Sequence, residues 1–330
     1  MLDNLTPLAA ELLPGHRPDG SACRTLVIKA TLDFAGRPVA QGSALPIYRG
    51  DAFFEEDGLQ GTVRHEADLA PFKPRVDVVF NGFAHAPGGR PAERFDAGLS
   101  IGAETRTVRV HGRRVWRRRM GLFPVAEACE PALRVPLVYG LAFGGQDAED
   151  PMAFHAGNPP GTGFSAGVPR DGAPLHQIEW ADAPVRLPSG NDPPAGFGCI
   201  GRTWLPRRAL WGSYAPQELQ QAPGLVARMP ATFDPAAWNC AHPRMQFAPG
   251  QVRPGTRIRW QHLCARGEGE TAVPDLQPAV SWAVRGERGT VRPAFDTLVL
   301  EPEHGHMVMV WRHTFDREAA RFLESLQVHL

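Results

Sequence analysis

The sequence is nearly without lysine. Of its 35 basic residues only Lys29 and Lys73 are lysine, and the rest are arginine. Against that background any one arginine cluster is less telling. Acidic residues also number 35, so the net charge is zero and no overall pull toward nucleic acid or an anionic membrane is expected. No stretch approaches the ~18 apolar residues that a membrane-spanning helix requires. Met1 to Pro14 carries Asp3 and Glu11 and no basic start, which is not the pattern of a secretory signal. CxxC pairs are missing: Cys23, Cys129, Cys199, Cys240 and Cys264 stand far apart. That spacing argues against a disulfide framework and a zinc knuckle, and a reducing cytoplasm is the expected compartment. Phosphate loops are missing too. Gly161-Thr162-Gly163 lacks a following Lys-Ser/Thr, and Gly140 to Gly145 lacks a following helix. No cofactor is expected.

What is present describes a folded, mainly β chain of 330 residues, 43% hydrophobic and 21% charged. Arg24 to Phe34 alternates with period two, so Leu26, Ile28, Ala30, Leu32 and Phe34 point one way while Thr25, Lys29, Thr31 and Asp33 point the other. This predicts a strand with one buried face. Asp51 to Asp57 is acidic and aromatic and reads as a loop or edge. The stretch Arg64 to Gly89 runs from a charged lead-in through a Pro71–Pro74 elbow into a strand from Val76 to about Phe83, then a turn at Ala86 to Gly89. Phe95 to Val110 reads as a hairpin around Gly102. Between Gly144 and Ile200, 19 of 57 residues are Gly or Pro, too many for regular structure. Phe143, Phe154, Phe164, Ile178, Trp180 and Phe197, spread through it, nevertheless mark the segment as ordered. Short helices are expected near Pro206 to Trp211 and Pro235 to Trp238.

Strands return at Thr256 to Cys264, Ala279 to Val284, Thr297 to Glu301 and His306 to Trp311. The last is apolar on both faces and predicts a central strand. Ala319, Phe322, Leu323 and Leu326 form a helical stripe that predicts a terminal helix over Asp316 to Val328. The expected fold is therefore mainly β, with antiparallel sheets in a sandwich or open barrel, a long ordered Gly/Pro-rich middle segment and a C-terminal helix. Three regions are expected to form one compact unit: an N-terminal β region over 1–143, a loop-rich middle over 144–250 packed on it, and C-terminal strands with the helix over 251–330.

No catalytic constellation is spelled out. His304 and His306, two apart on an expected strand, could share a face as a metal pair, with His313 close by. His65, Glu66 and Asp68 form a second candidate cluster, with Arg64 and Lys73 as ready ion-pair partners. His176 and Glu179 have i, i+3 spacing. Ser165 sits in a G-x-S-x-G pattern without the strand and helix a nucleophile elbow needs. In each case the reading without a catalytic or metal role weighs more: a turn at a strand edge for His304 and His306, and capped turns or Arg pairing for His65 to Asp68. Electrostatically the strongest feature is Arg113, Arg114, Trp116, Arg117, Arg118 and Arg119. On a strand, Arg114, Trp116 and Arg118 would face one way and Arg113, Arg117 and Arg119 the other. An internally paired hairpin, a protein-partner surface and a nucleic-acid grip follow in that order.

Several ordered blocks resemble a known family: Asn4 to Pro7, Val27 to Asp33, Asp68 to Gly89, Val110 to Trp116, Tyr139 to Gly145, Asn158 to Gly163, Phe233 to Asn239 with Ala241 to Pro243, and Val310 to Arg312. Together they resemble bacterial domain of unknown function 2169, whose members accompany type VI secretion spike proteins and toxic effectors. The match weakens around Tyr214 to Pro216. The resemblance implies an effector adaptor or chaperone, not an enzyme, with a cognate secreted effector and a spike-tip protein as partners. The competing classes are a metal-dependent hydrolase using the His/carboxylate clusters and a structural component of the secretion apparatus.

Overall fold

The computed structural model describes residues 2–54, 62–120, 123–220 and 228–330. Its core is a six-stranded sheet in the order Gln246–Phe247, Val76–Phe80, Ala294–Glu301, His306–Phe315, Ala22–Asp33, Ala9–His16. The Val76–Phe80 and Ala294–Glu301 pair is parallel and the other pairs are antiparallel. His306–Phe315 lies in the interior of this sheet, with residues 306–312 all buried. That is the place a strand apolar on both faces must take. The sheet draws strands from all three regions of the chain. A five-stranded sheet is built around the hairpin of Arg94–Ile101 and Glu104–His111. A three-stranded one is built around Arg113–Arg119 and Phe123–Glu130. Several antiparallel sheets pack together and none closes into a barrel.

Two local expectations change in the folded chain. Ala22–Asp33 buries both of its faces, because Thr25, Lys29 and Thr31 are as enclosed as the leucines opposite them. The segment after it folds back over the polar face: Lys29 Nζ reaches Pro46 O at 2.9 Å, and Thr31 Oγ1 accepts from Leu45 N. The terminal helix stops early. Asp316 caps it by accepting from Ala319 N at 2.9 Å, but it ends at Phe322. Leu323–His329 is a strand, held between Ala279–Val284 and Leu2–Asn4. Leu326 and Val328 satisfy a period of two as well as the helical stripe does. Two strands with open edges then decide between the readings.

The loop-rich middle contains only strands of two or three residues between 144 and 200, and is fastened by side chains. Short helices form at Arg207–Leu210 and Pro235–Trp238, as expected. The blocks Tyr139 to Gly145 and Asn158 to Gly163 interlock. Asn158 Nδ2 donates to Tyr139 O at 2.8 Å and Phe143 O at 3.0 Å, and Asn158 O accepts from Gly145 N at 2.9 Å. Gly144, at φ 150°, lies so close that a Cβ would sit 2.3 Å from Asn158 O. The Ser165 hydroxyl donates to Asp147 at 3.0 Å, so it fastens a loop in place of exposing a nucleophile. Of the acidic loop Asp51 to Asp57, Ala52–Phe53 pairs with Val63–His65, while Glu55, Glu56 and Asp57 lie outside the described residues.

Gly144→Ala should therefore destabilise the chain by about 3 kcal/mol through overpacking against backbone. Urea unfolding would measure this, with Gly167→Ala, whose Cβ would meet open space, as the control.

Candidate functional site

The stretch from Arg64 to His85 is a polar spine whose side chains each seize a different part of the fold. Arg64 and Asn81 converge on Glu301, which is fully buried: Arg64 Nε and Nη2 donate at 2.8 Å each, and Asn81 Nδ2 at 3.0 Å. His306 Nε2 lies 2.8 Å from the same carboxylate and His65 Nε2 lies 3.2 Å from it. Glu66 pairs with the buried Arg207 at 2.6 Å, which in turn donates to Ala237 O and Ile200 O. Asp68 binds Lys29 and accepts from Arg312 at 3.1 Å, and Arg312 bridges onward to Asp296. Lys73 donates to Asp77 at 2.7 Å. Asp77 also accepts from Asn239 Nδ2, Cys240 N and Ala241 N.

The two histidine clusters singled out in the sequence thus meet at one carboxylate. His306 and His65 both turn to Glu301, while His304 lies in the turn Pro302–His304 beside Arg64 and not on the strand. Glu66 and Asp68 diverge to separate cations. Among the described residues no group of three or more His, Cys, Asp or Glu side chains could hold a metal ion. A second unit of similar design surrounds Glu179. His111 Nε2 lies 2.7 Å from it, His176 Nε2 lies 3.4 Å from it, and Val185 N donates at 3.0 Å. Sequence reasoning missed Glu301 entirely and did not see that Glu179 is shared with His111. The only sequence signal was the coincidence of histidines with the most ordered motif blocks.

Electrostatics follow from this packing. Burial works against charge on Glu301, but hydrogen bonds from His306, His65 and Arg64 outweigh it and hold the carboxyl far below its ordinary range. Glu179 is lowered in the same way by His111 and His176, against its own burial. Burial lowers both of those histidines, and it pulls His242 down to about 4. Burial also lowers Lys29 despite Asp68, whereas for Lys73 the Asp77 carboxylate overcomes burial and raises it. The two lysines line one small cavity of about 30 Å³ with Asp68, Arg312, Cys199 and Cys240.

The arginine strand splits as alternation demands. Arg114 donates to His176 O at 2.7 Å, Trp116 Nε1 to Gly163 O at 3.2 Å, and Arg118 to Pro169 O and Val168 O at 2.8 and 3.1 Å. These three clamp the middle segment, and Trp116 is buried. Burial brings Arg114 down to about 10. On the other face Arg117 pairs with Glu127 and Asp171, each at 3.2 Å, while Arg113 and Arg119 stand exposed at the strand ends. Beyond the strand, Met120 is 91% exposed and Phe123 62%. Ten of the fifteen exposed large apolar side chains among the described residues fall between Met120 and Leu219.

Both lysine side chains are only 4% exposed, so an amine-reactive ester should leave them unmodified in the native chain and acylate both after unfolding, which peptide mass mapping reads directly. The lowered Glu and His groups bind fewer protons folded than unfolded, so stability is lost as pH falls. The loss should begin near the ordinary histidine value of 6.5, continue toward about 4 as His242 resists protonation, and steepen below the ordinary glutamate value of 4.5. Glu301→Gln should cost about 3–5 kcal/mol at neutral pH by removing the buried charge on which Arg64 and Asn81 converge, and should flatten the acid limb of the urea-midpoint profile.

Comparison with known proteins supplies a family. Searches of curated proteins and of solved structures found no match. Among the described residues no helix is long and apolar enough to cross a membrane. A family model described as "Uncharacterized protein conserved in bacteria (DUF2169)" matches residues 19–312, which contain the polar spine, the arginine strand and the interlocked glycine loops. The chain belongs to this bacterial family, domain of unknown function 2169.

Proposed function

We propose that the chain is a type VI secretion effector adaptor or chaperone, which binds a cognate effector in the cytoplasm, stabilises it and helps load it onto a spike-tip protein. The sequence resemblance supplies the role. The observation that carries it to a surface is the concentration of exposed apolar side chains on the arginine hairpin and the loop-rich middle. Met120 and Phe123 project beyond the strand while Val168 is presented by a loop that Arg118 holds through its carbonyl. Flexible Met and aromatic side chains rimmed by arginine are the residue types that dominate protein interfaces. The loop that presents Val168 is already tied down through Asp147 and Asp171, so it loses little ordering entropy on docking. The partner surface is assigned to Arg113, Arg117 and Arg119 with Met120 and Phe123. Arg114, Trp116 and Arg118 support it from behind.

The test is co-purification from the native host with the neighbouring genes intact. A toxin-like effector and a spike-tip protein should be retained by the wild-type chain. Met120→Asp combined with Phe123→Asp should weaken retention at least ~10-fold, the loss expected from removing central apolar anchors, with no change in urea unfolding. Unchanged retention by the double variant would remove the hairpin from the interface.

A further inference from the structure

The fold brings together two cysteines that lie far apart in sequence and gives them a cavity. Cys199 and Cys240 have their sulfurs 3.3 Å apart, and both side chains are buried. Cys199 forms a β-bridge with Ala241, and Ile200 N donates to Cys240 O at 2.8 Å, so the two backbones are already fastened side by side. The cavity of about 30 Å³ touches both cysteines. It holds one water-sized molecule, and its polar lining suits a small hydrogen-bonding guest. Lys73 Nζ stands 3.8 Å from Cys240 Sγ, the cation nearest any charge that forms on the pair.

We propose that Cys199 and Cys240 are a peroxide-reactive dithiol, whose substrate is a water-sized neutral hydroperoxide admitted to this cavity and whose product is an intramolecular disulfide. One thiolate of the pair attacks a peroxide oxygen, the O–O bond breaks, and the leaving hydroxide takes a proton to become water. The sulfenic acid so formed is attacked by the second thiol, which gives the S–S bond and a second water. Two thiols are oxidised and one hydrogen peroxide is reduced to two waters. The neighbouring thiol and burial together push Cys240 above its ordinary value. Cys240 is therefore held as the thiol at neutral pH, and its oxidation accelerates as pH rises. The bond would join the chain leaving the loop-rich middle to the segment that caps Asp77, two parts now linked only by non-covalent contacts.

The experiment uses the full chain in reduced form. It is exposed to dilute hydrogen peroxide, quenched, unfolded, alkylated and mapped without reduction. The expected result is a peptide pair linked through Cys199 and Cys240, with loss of two alkylatable thiols and faster formation at alkaline pH. The linked pair should vanish in Cys199→Ser, leaving a sulfenic acid at Cys240 that dimedone traps. If that variant fails to fold, the wild-type map decides alone. Full alkylation of Cys199 and Cys240 under conditions that oxidise the exposed Cys129 would overturn the proposal. So would linkage of either cysteine to Cys23, Cys129 or Cys264 in place of its neighbour. The test makes no use of an effector, so its failure leaves the adaptor reading untouched.

Discussion

Buried charge, paired across long sequence distances, is the constraint on which this fold depends. Lys29, Arg312, Asp68 and Asp296 form one chain of ion pairs, and Lys73–Asp77, Arg64–Glu301 and Arg207–Glu66 lie around it. Within this network five cations balance five anions. Burying such groups is costly, and mutual attraction offsets the cost only when every partner is in place. The network therefore adds little to raw stability but penalises any arrangement that leaves one member alone. It selects a single register for strands from the two ends of the chain and for the segment around Arg207 and Asn239.

That constraint explains a curious feature of composition. Arginine has taken nearly every basic position, yet the two lysines are both inside, beside the same cavity. A guanidinium needs room for five donors in a plane, whereas an ammonium presents a compact charge on a slender stem. At Lys29 the donors go to Asp68 and Pro46 O, with the Tyr48 ring 4.5 Å away, and at Lys73 the site is closed by Asp77 and Cys240. Arg312, which must span two carboxylates, is the position where the planar guanidinium is used.

The outer surface is organised on a different principle. The arginine strand spends its inner face on carbonyl oxygens of the middle segment, so a region rich in glycine and proline is held without strands or helices of any length. Backbone amides that regular structure would have satisfied are met by Asp147 and Asp171 instead, and backbone carbonyls by Asn158 Nδ2. The result is a set of loops held in place by side chains, with Val168 and Phe154 exposed on them.

Local pattern alone specifies several of the strands. Alternation in Leu26 to Phe34, the hairpin from Phe95 to Val110 and the doubly apolar run from His306 are short-range patterns, and short-range sterics fix them. It also determined which arginines of the strand share a face, because side chains in a strand alternate whatever packs against them. Only the tertiary structure decided that Lys29 faces inward, that His65 and His306 share Glu301, that Leu323–His329 is a strand and that Cys199 touches Cys240. Each of these depends on a partner distant in sequence, and the free energy of such a contact is written in no local pattern. The stripe at Ala319 to Leu326 shows the limit most clearly. Two periods fitted the same residues, and hydrogen bonds offered by Ala279–Val284 and Leu2–Asn4 made the choice.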